Sequence, residues 1–152
     1  MEKEYIINRI TFEEVLPKWK QLWPGKEKIK PINCNTFLGG TDFDIPKRFK
    51  ATYFGCYHNK ELIGVTSGYR NTLNIYRVRG TWVDEIYRGK GISTLLLKEN
   101  EKQAKLEKCT IMWTMGRKSA EYAYKNFGFI RVGEYFSEGV EFGPNCYLYK
   151  QI

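Results

Sequence analysis

Three strand-like runs follow one another between Ala51 and Val83, separated by only a few turn residues, and nothing else in the chain limits its fold so strongly. Ala51–Tyr57 is apolar and aromatic, Leu62–Tyr69 follows a turn at His58-Asn59, and Ile75–Val83 follows another near Asn71–Asn74. A parallel crossover needs about a dozen residues or more, so connections this short predict an antiparallel meander. After Val83 the hydrophobic period changes. Gly91–Lys105 puts Ile92, Leu95, Leu96 and Ala104 on one side of a helix whose polar second half predicts a wet face. Cys109–Thr114 reads as a buried strand. Ala120, Ala123, Tyr124 and Phe127 then fall at i, i+3, i+4 and i+7, a helical stripe with Gly128 as its stop. Phe129–Tyr135 and Cys146–Tyr149 close the chain as strands.

The meander is preceded by a strand over Tyr5–Ile10 and a helix. Thr11 and Glu14 have the spacing of a capping box, and Phe12, Val15, Leu16, Trp19, Leu22 and Trp23 mark one buried face. Pro17 inside that pattern predicts a kink or a late start, and Pro24-Gly25 ends the helix. Lys26–Lys50 is the least periodic stretch; short turns and loops are expected there, placed to cover a substrate site. The order βα, βββ, αβ, αβ, β predicts an α/β chain of the mixed, α+β kind. With 152 residues, 42% of them hydrophobic, a single domain over residues 1–152 is expected.

The charge narrows the partners without choosing one. Twenty-five Lys and Arg against 17 Asp and Glu leave +8 with His neutral, which favours polyanions: nucleic acid, an anionic membrane face or a phosphorylated small molecule. Cys34, Cys56, Cys109 and Cys146 lie too far apart for a thiolate zinc site or a redox dithiol, so no metal is expected, and Cys56, Cys109 and Cys146, each in an apolar run, are expected as reduced, buried thiols. MEKEYIINRI has no apolar targeting core and no stretch reaches membrane-spanning length, which predicts a cytoplasmic protein.

The segment with most chemical content is Arg88-Gly89-Lys90-Gly91-Ile92-Ser93, between a strand and a helix. Glycines there let backbone amides approach a ligand, and the helix start adds uncapped N–H groups and a positive dipole end, so the loop suits a pyrophosphate, with Arg88 and Lys90 adding charge. An ordinary basic turn would look the same in composition. Two other phosphate loops fit poorly. GxxxxGK followed by Ser or Thr has a different lysine position, and the dinucleotide pattern GxGxxG belongs inside a βαβ unit, whereas this loop lacks the third glycine and follows the antiparallel meander.

The segment VDEIYRGKGISTLLL resembles the coenzyme-binding motif of the GNAT family of N-acetyltransferases: Arg or Gln, two variable residues, Gly, one variable residue, then Gly or Ala. Arg88 and Gly91 match; Ser93 departs mildly. Ala120, Tyr124 and Gly128-Phe129 resemble the family's later helix, with Arg117 where Asn is frequent. The resemblance runs across nearly the whole chain and implies a mostly antiparallel central sheet flanked by helices. It further implies acetyl-CoA as acyl donor, bound by Trp82, Val83, Arg88, Gly89, Lys90, Gly91, Ile92 and Ser93. The strand before the loop would splay from its neighbour, the Val83 N–H would meet the thioester carbonyl, and Tyr124 would protonate the departing thiolate. The implied reaction is direct attack by a primary amine in a ternary complex.

On the residues themselves, an amine must lose a proton, and Glu85, with Asp84 beside it, is the first candidate base; a solvated acidic pair is the competing reading. Glu121, Glu134, Glu138 and Glu141 are reserves. Tyr124 on an apolar stripe also reads as core, Tyr122 as exposed, and His58 as a turn residue without a partner in sequence. Two other functions stay open: a non-catalytic coenzyme A-binding relative, and a nucleic-acid binder using Lys26, Lys28, Lys30, Lys47, Arg48 and Lys50. No zinc, helix-turn-helix or RNP-like motif favours the second. The acceptor is a small-molecule or protein amine, and pairing of two copies through a terminal strand or an aromatic patch is a further expectation.

Overall fold

A computed structural model describes residues 4–32, 50–138 and 142–152. The first strand, β1 (Ile6–Ile10), leads into α1 (Phe12–Leu22). The Thr11 side chain accepts from the Glu14 N–H while the Glu14 carboxylate accepts from the Thr11 N–H, completing the capping box. The expected late start is corrected: α1 begins at Phe12 and runs through Pro17, the cap and the burial of Val15 and Trp19 outweighing one lost backbone bond.

Three strands then form the meander: β2 (Thr52–His58), β3 (Glu61–Arg70) and β4 (Ile75–Val83). Antiparallel pairing joins β1 to β2, β2 to β3 and β3 to β4. The turn between β2 and β3 is centred one residue later than expected, on Asn59 and Lys60, both with positive φ, which matches the twist of a tight hairpin. A 3₁₀ turn (Glu85–Tyr87) and the glycine loop lead to α2 (Ile92–Leu106), then β5 (Ile111–Arg117). This strand starts two residues later than read from sequence and extends to Arg117. A second 3₁₀ turn (Lys118–Ala120) precedes α3 (Glu121–Asn126), so Ala120 lies just before the helix it was expected to share. The chain ends with β6 (Ile130–Phe136) and β7 (Asn145–Gln151).

Among the described residues the sheet has seven strands in the order β1-β2-β3-β4-β5-β7-β6, and of these only β4 and β5 run parallel. β7 is inserted between β5 and β6 and pairs antiparallel with both. The fold is thus a mixed α/β sheet, mostly antiparallel, flanked by helices. Cys56, Cys109 and Cys146 are free and buried; Cys34 lies outside the described residues, as do Lys47, Arg48 and Glu141. Among the described residues no helix is long and apolar enough to cross a membrane.

A bulge in β4 shapes the centre of the molecule. Val65 pairs with Trp82 but Ser67 pairs with Arg79, so β4 carries one extra residue between those positions. Gly80 sits there with φ +71°, and a Cβ would come within 2.3 Å of the Trp19 ring, whose Nε1 donates to the Gly80 carbonyl at 2.8 Å. The extra residue exchanges the faces of the strand. Tyr76 and Val78 pack in the cluster that holds Leu97 of α2, whereas Trp82, of the same parity, packs with Val15 and Trp19 of α1.

Candidate active site

The parallel pairing of β4 and β5 stops early. Ile75, Tyr76 and Arg77 pair with Ile111, Met112 and Trp113, and beyond them β4 continues to Val83 and β5 to Arg117 without further ladder pairing between the two. The two strands therefore splay, as the resemblance implied. Asp84 N–H donates to Ile63 O on β3 at 2.8 Å, so by strand alternation the Val83 N–H faces the opposite edge, the open side of the splay.

The glycine loop closes one end of that gap. Gly89 and Gly91 have φ +76° and +82°, and a Cβ at either would meet nothing within 4 Å, so the space over the loop is open. Gly91 caps α2 without any side-chain hydrogen bond, which leaves the first amides of the helix for a ligand. Arg88 Nε donates to the Val83 carbonyl at 3.1 Å, tying the loop to the strand end, and Lys90 lies over the Tyr87 ring. Ile92 is buried in the cluster with Phe54, Cys56, Ile63 and Leu96. Tyr87 is held from behind by His58, whose Nδ1 is 2.8 Å from the Tyr87 hydroxyl. His58 thus has a partner that sequence proximity could not reveal, 29 positions away.

A cavity of about 560 Å³ follows the splay and the loop, lined among others by Trp82, Val83, Arg88, Gly89, Gly91, Ile92, Ser93 and Tyr124. A second cavity, of about 300 Å³, opens on the other side of the sheet gap against the end of α1, with Arg77, Arg79, Arg117 and Lys26 in its wall. The two share Leu22, Thr81, Arg117, Ala120 and Tyr124. Their common wall is where two substrates would face each other.

Tyr124 is 7% exposed at this junction, its ring edge-on to Phe129. Burial raises its phenol above the ordinary value of 10.0, and hydrogen bonds with Thr81 and Thr114 pull it part of the way back. Those hydroxyls belong to a chain of buried polar contacts. Asn100 Nδ2 donates to Thr66 Oγ1 at 2.9 Å, Thr66 and Thr81 hydroxyls lie 2.8 Å apart, and Thr114 Oγ1 donates to Val78 O at 2.9 Å. Tyr122, as expected, points outward and is 82% exposed.

Glu85 is not brought to this place. It is exposed on the 3₁₀ turn and lines neither cavity, and Asp84 instead caps that turn by accepting from Ile86 N–H at 3.2 Å. Of the reserves, Glu134 and Glu138 are exposed. Glu121 is held by the Tyr135 hydroxyl, Lys125 and Arg131, which keep its carboxyl below the ordinary range. No Asp or Glu lines either cavity among the described residues.

Sequence reading missed Arg77, Arg79, Thr81 and the setting of Arg117. Arg79 is 5% exposed, stacks over the rings of Trp19 and Trp23, and donates to Lys30 O at 2.8 Å. Burial, then the neighbouring Arg77 charge, lower its guanidinium to about 10. Arg117 hydrogen-bonds the Leu22 carbonyl and lies over the Phe142 ring. A signal did exist. Two arginines at i and i+2 followed by glycine, in the strand IYRVRGTWV, put two charges on one strand face just before a break.

A sheet splayed at its one parallel junction, with a glycine loop feeding a helix beside the gap, defines the acyl-CoA N-acyltransferase class of fold. The model of the acetyltransferase (GNAT) family matches residues 13–129, so the chain belongs to that family. Solved structures agree on the fold. An acetyltransferase of the GNAT family from Staphylococcus aureus Mu50 is 17% identical, with a TM-score of 0.69 over 97% of this chain and 99% of that one. Ard1 from Thermoplasma volcanium is 12% identical, with a TM-score of 0.72 over 97% of each chain. IAA acetyltransferase from Bacillus cereus ATCC 14579 is 15% identical, with a TM-score of 0.66 over 98% of this chain and all of the other. No curated protein matches the sequence.

Proposed function

We propose that the chain transfers the acetyl group of acetyl-CoA to a primary amine by direct attack in a ternary complex. The observation that carries this is the meeting of two cavities at Thr81 and Tyr124, one running along the splayed strand edge and glycine loop, the other opening from the α1 side. Acetyl-CoA fits the first. The open space over Gly89 and Gly91 and the uncapped amides of α2 suit its pyrophosphate, and the free edge of β4 suits its amide-bearing arm.

Acetyl-CoA supplies an acetyl group already activated as a thioester, so the chain's work is positioning and proton handling. Amides from Gly89 to Ser93 hold the pyrophosphate, and Arg88 fixes the loop against Val83. The Val83 N–H donates to the acetyl carbonyl oxygen as that atom gains negative charge. The Tyr124 phenol, kept protonated by burial, donates to the leaving sulfur. The amine's own proton goes to water rather than to Glu85, which lies outside both cavities. The arginines help here, because nearby positive charge disfavours an ammonium and lowers the amine's pKa.

Calorimetric titration with acetyl-CoA tests the reading, alongside a Gly91→Glu variant. One-to-one binding by the native chain is expected, lost in the variant because a carboxylate then occupies the phosphate nest. Binding by a folded variant equal to that of the native chain would sink the loop assignment. Release of coenzyme A thiol with an amine present separates an enzyme from a non-catalytic relative.

A further inference from the structure

We infer that the acceptor amine carries an anionic group, a carboxylate or a phosphate, and that this group docks on Arg79 and Arg117 in the second cavity. The inference rests on reading that cavity as the acceptor side of an acetyltransferase. Four cationic side chains, Lys26, Arg77, Arg79 and Arg117, line about 300 Å³, and among the described lining residues none is acidic.

Arg79 makes the case most directly. A guanidinium taken almost entirely out of water is costly unless an opposite charge faces it. Its described neighbours are instead the Lys30 carbonyl, two indole rings, the Tyr53 and Tyr69 phenols and a second guanidinium. Arg117 has a carbonyl and a phenyl ring for partners. For an acceptor without an anion such a wall lowers the amine's pKa but also repels the ammonium that must enter. An anion on the same molecule reverses the balance. It draws the acceptor in, matches the planar fork of guanidinium donors, and leaves the amine end toward Tyr124. The positive wall then works twice, holding the anion and favouring the neutral amine that attacks.

The test uses the full chain and paired amines: amino acids against their amides, and aminoalkyl phosphates against the parent amino alcohols. Binding is followed without coenzyme by fluorescence of Trp19 and Trp23, the rings under Arg79. The same pairs are then offered with acetyl-CoA, and thiol release is timed. The anionic member of at least one pair should bind about tenfold tighter or more, and transfer should follow that order. Lys26→Gln and Arg117→Gln, each checked for fold by circular dichroism, should weaken the preference several-fold, in KM more than kcat. Three results would overturn the inference: neutral or polycationic amines such as spermidine preferred, an anion preference untouched by both substitutions, or no pair bound at all. If acetyl-CoA itself fails to bind, the acetyltransferase reading falls, while the fluorescence titration still decides the anion site.

Discussion

At the residue scale the proposed chemistry gathers on Tyr124. Its hydroxyl is enclosed by Thr81 and Thr114, and a Cβ added at Gly116 would press on its ring at 3.1 Å, so the side chain has little room to move. Because burial raises the phenol above 10.0, the group stays protonated through the neutral range and up to at least that pH. Tyr124→Phe should therefore lower turnover about 100-fold, with acetyl-CoA affinity unchanged, where chemistry limits the rate. In the native enzyme, activity should show no loss from this group between pH 7 and 9. Unchanged kcat in the phenylalanine variant, with a burst experiment showing that chemistry is rate-limiting, would remove the tyrosine from the proton-donating role. Tyr124 was legible in sequence through its place on the apolar stripe and in the family motif. Thr81 and Thr114 were not, because a threonine in a strand looks the same whether it faces a tyrosine or a neighbouring chain.

Element by element, the bulge in β4 does more than any helix to make the site. By adding one residue before Trp82 it turns Thr81 toward Tyr124 while Arg79 remains against the tryptophans of α1. Gly80 is the only residue type that suits φ +71° with an indole ring against it. Gly80→Ala should cost about 3 kcal/mol or more, from strain and overpacking together, and should also weaken acetyl-CoA binding as the splay closes. Denaturant midpoints and calorimetry on the same variant check both halves. A stable variant that binds acetyl-CoA normally would mean the splay does not depend on the bulge. The capping box of α1 and the three hairpin strands were readable because each depends on residues within a few positions. The bulge was not, since it is defined by pairing between β3 and β4.

For the whole molecule, the buried titratable groups give a pH signature. Burial lifts the Cys56 and Cys109 thiols from 9.0 to about 11, lifts Cys146 in the same direction, and raises Tyr53 to about 12 and Tyr76 and Tyr124 above 10.0. Each group holds its proton longer when folded than when unfolded. Its contribution is therefore complete below the ordinary value and is lost as pH rises toward the folded one. Arg79, lowered to about 10, acts in the opposite sense, but only above that value. Stability should accordingly fall between pH 9 and 10, before the arginine can offset it. Urea midpoints at pH 7.5, 9 and 10 in reductant measure this, and midpoints equal across the three would show the thiols and phenols to be reached by water.

What the sequence determined by itself was whatever short-range physics controls. The order of strands and helices, the capped start of α1 and the glycine loop at the head of α2 all depend on hydrophobic period and on backbone freedom within a few residues. The resemblance carried by Arg88, Gly91 and Tyr124 named the family before any coordinates. The tertiary structure decided what depends on residues distant in the chain. The bulge in β4, the placing of Glu85 at the surface and the union of Arg77 and Arg79 with Lys26 and Arg117 needed the fold. The reason is that charge and hydrogen-bonding groups act over a few ångströms of space, and only packing sets which of them share it.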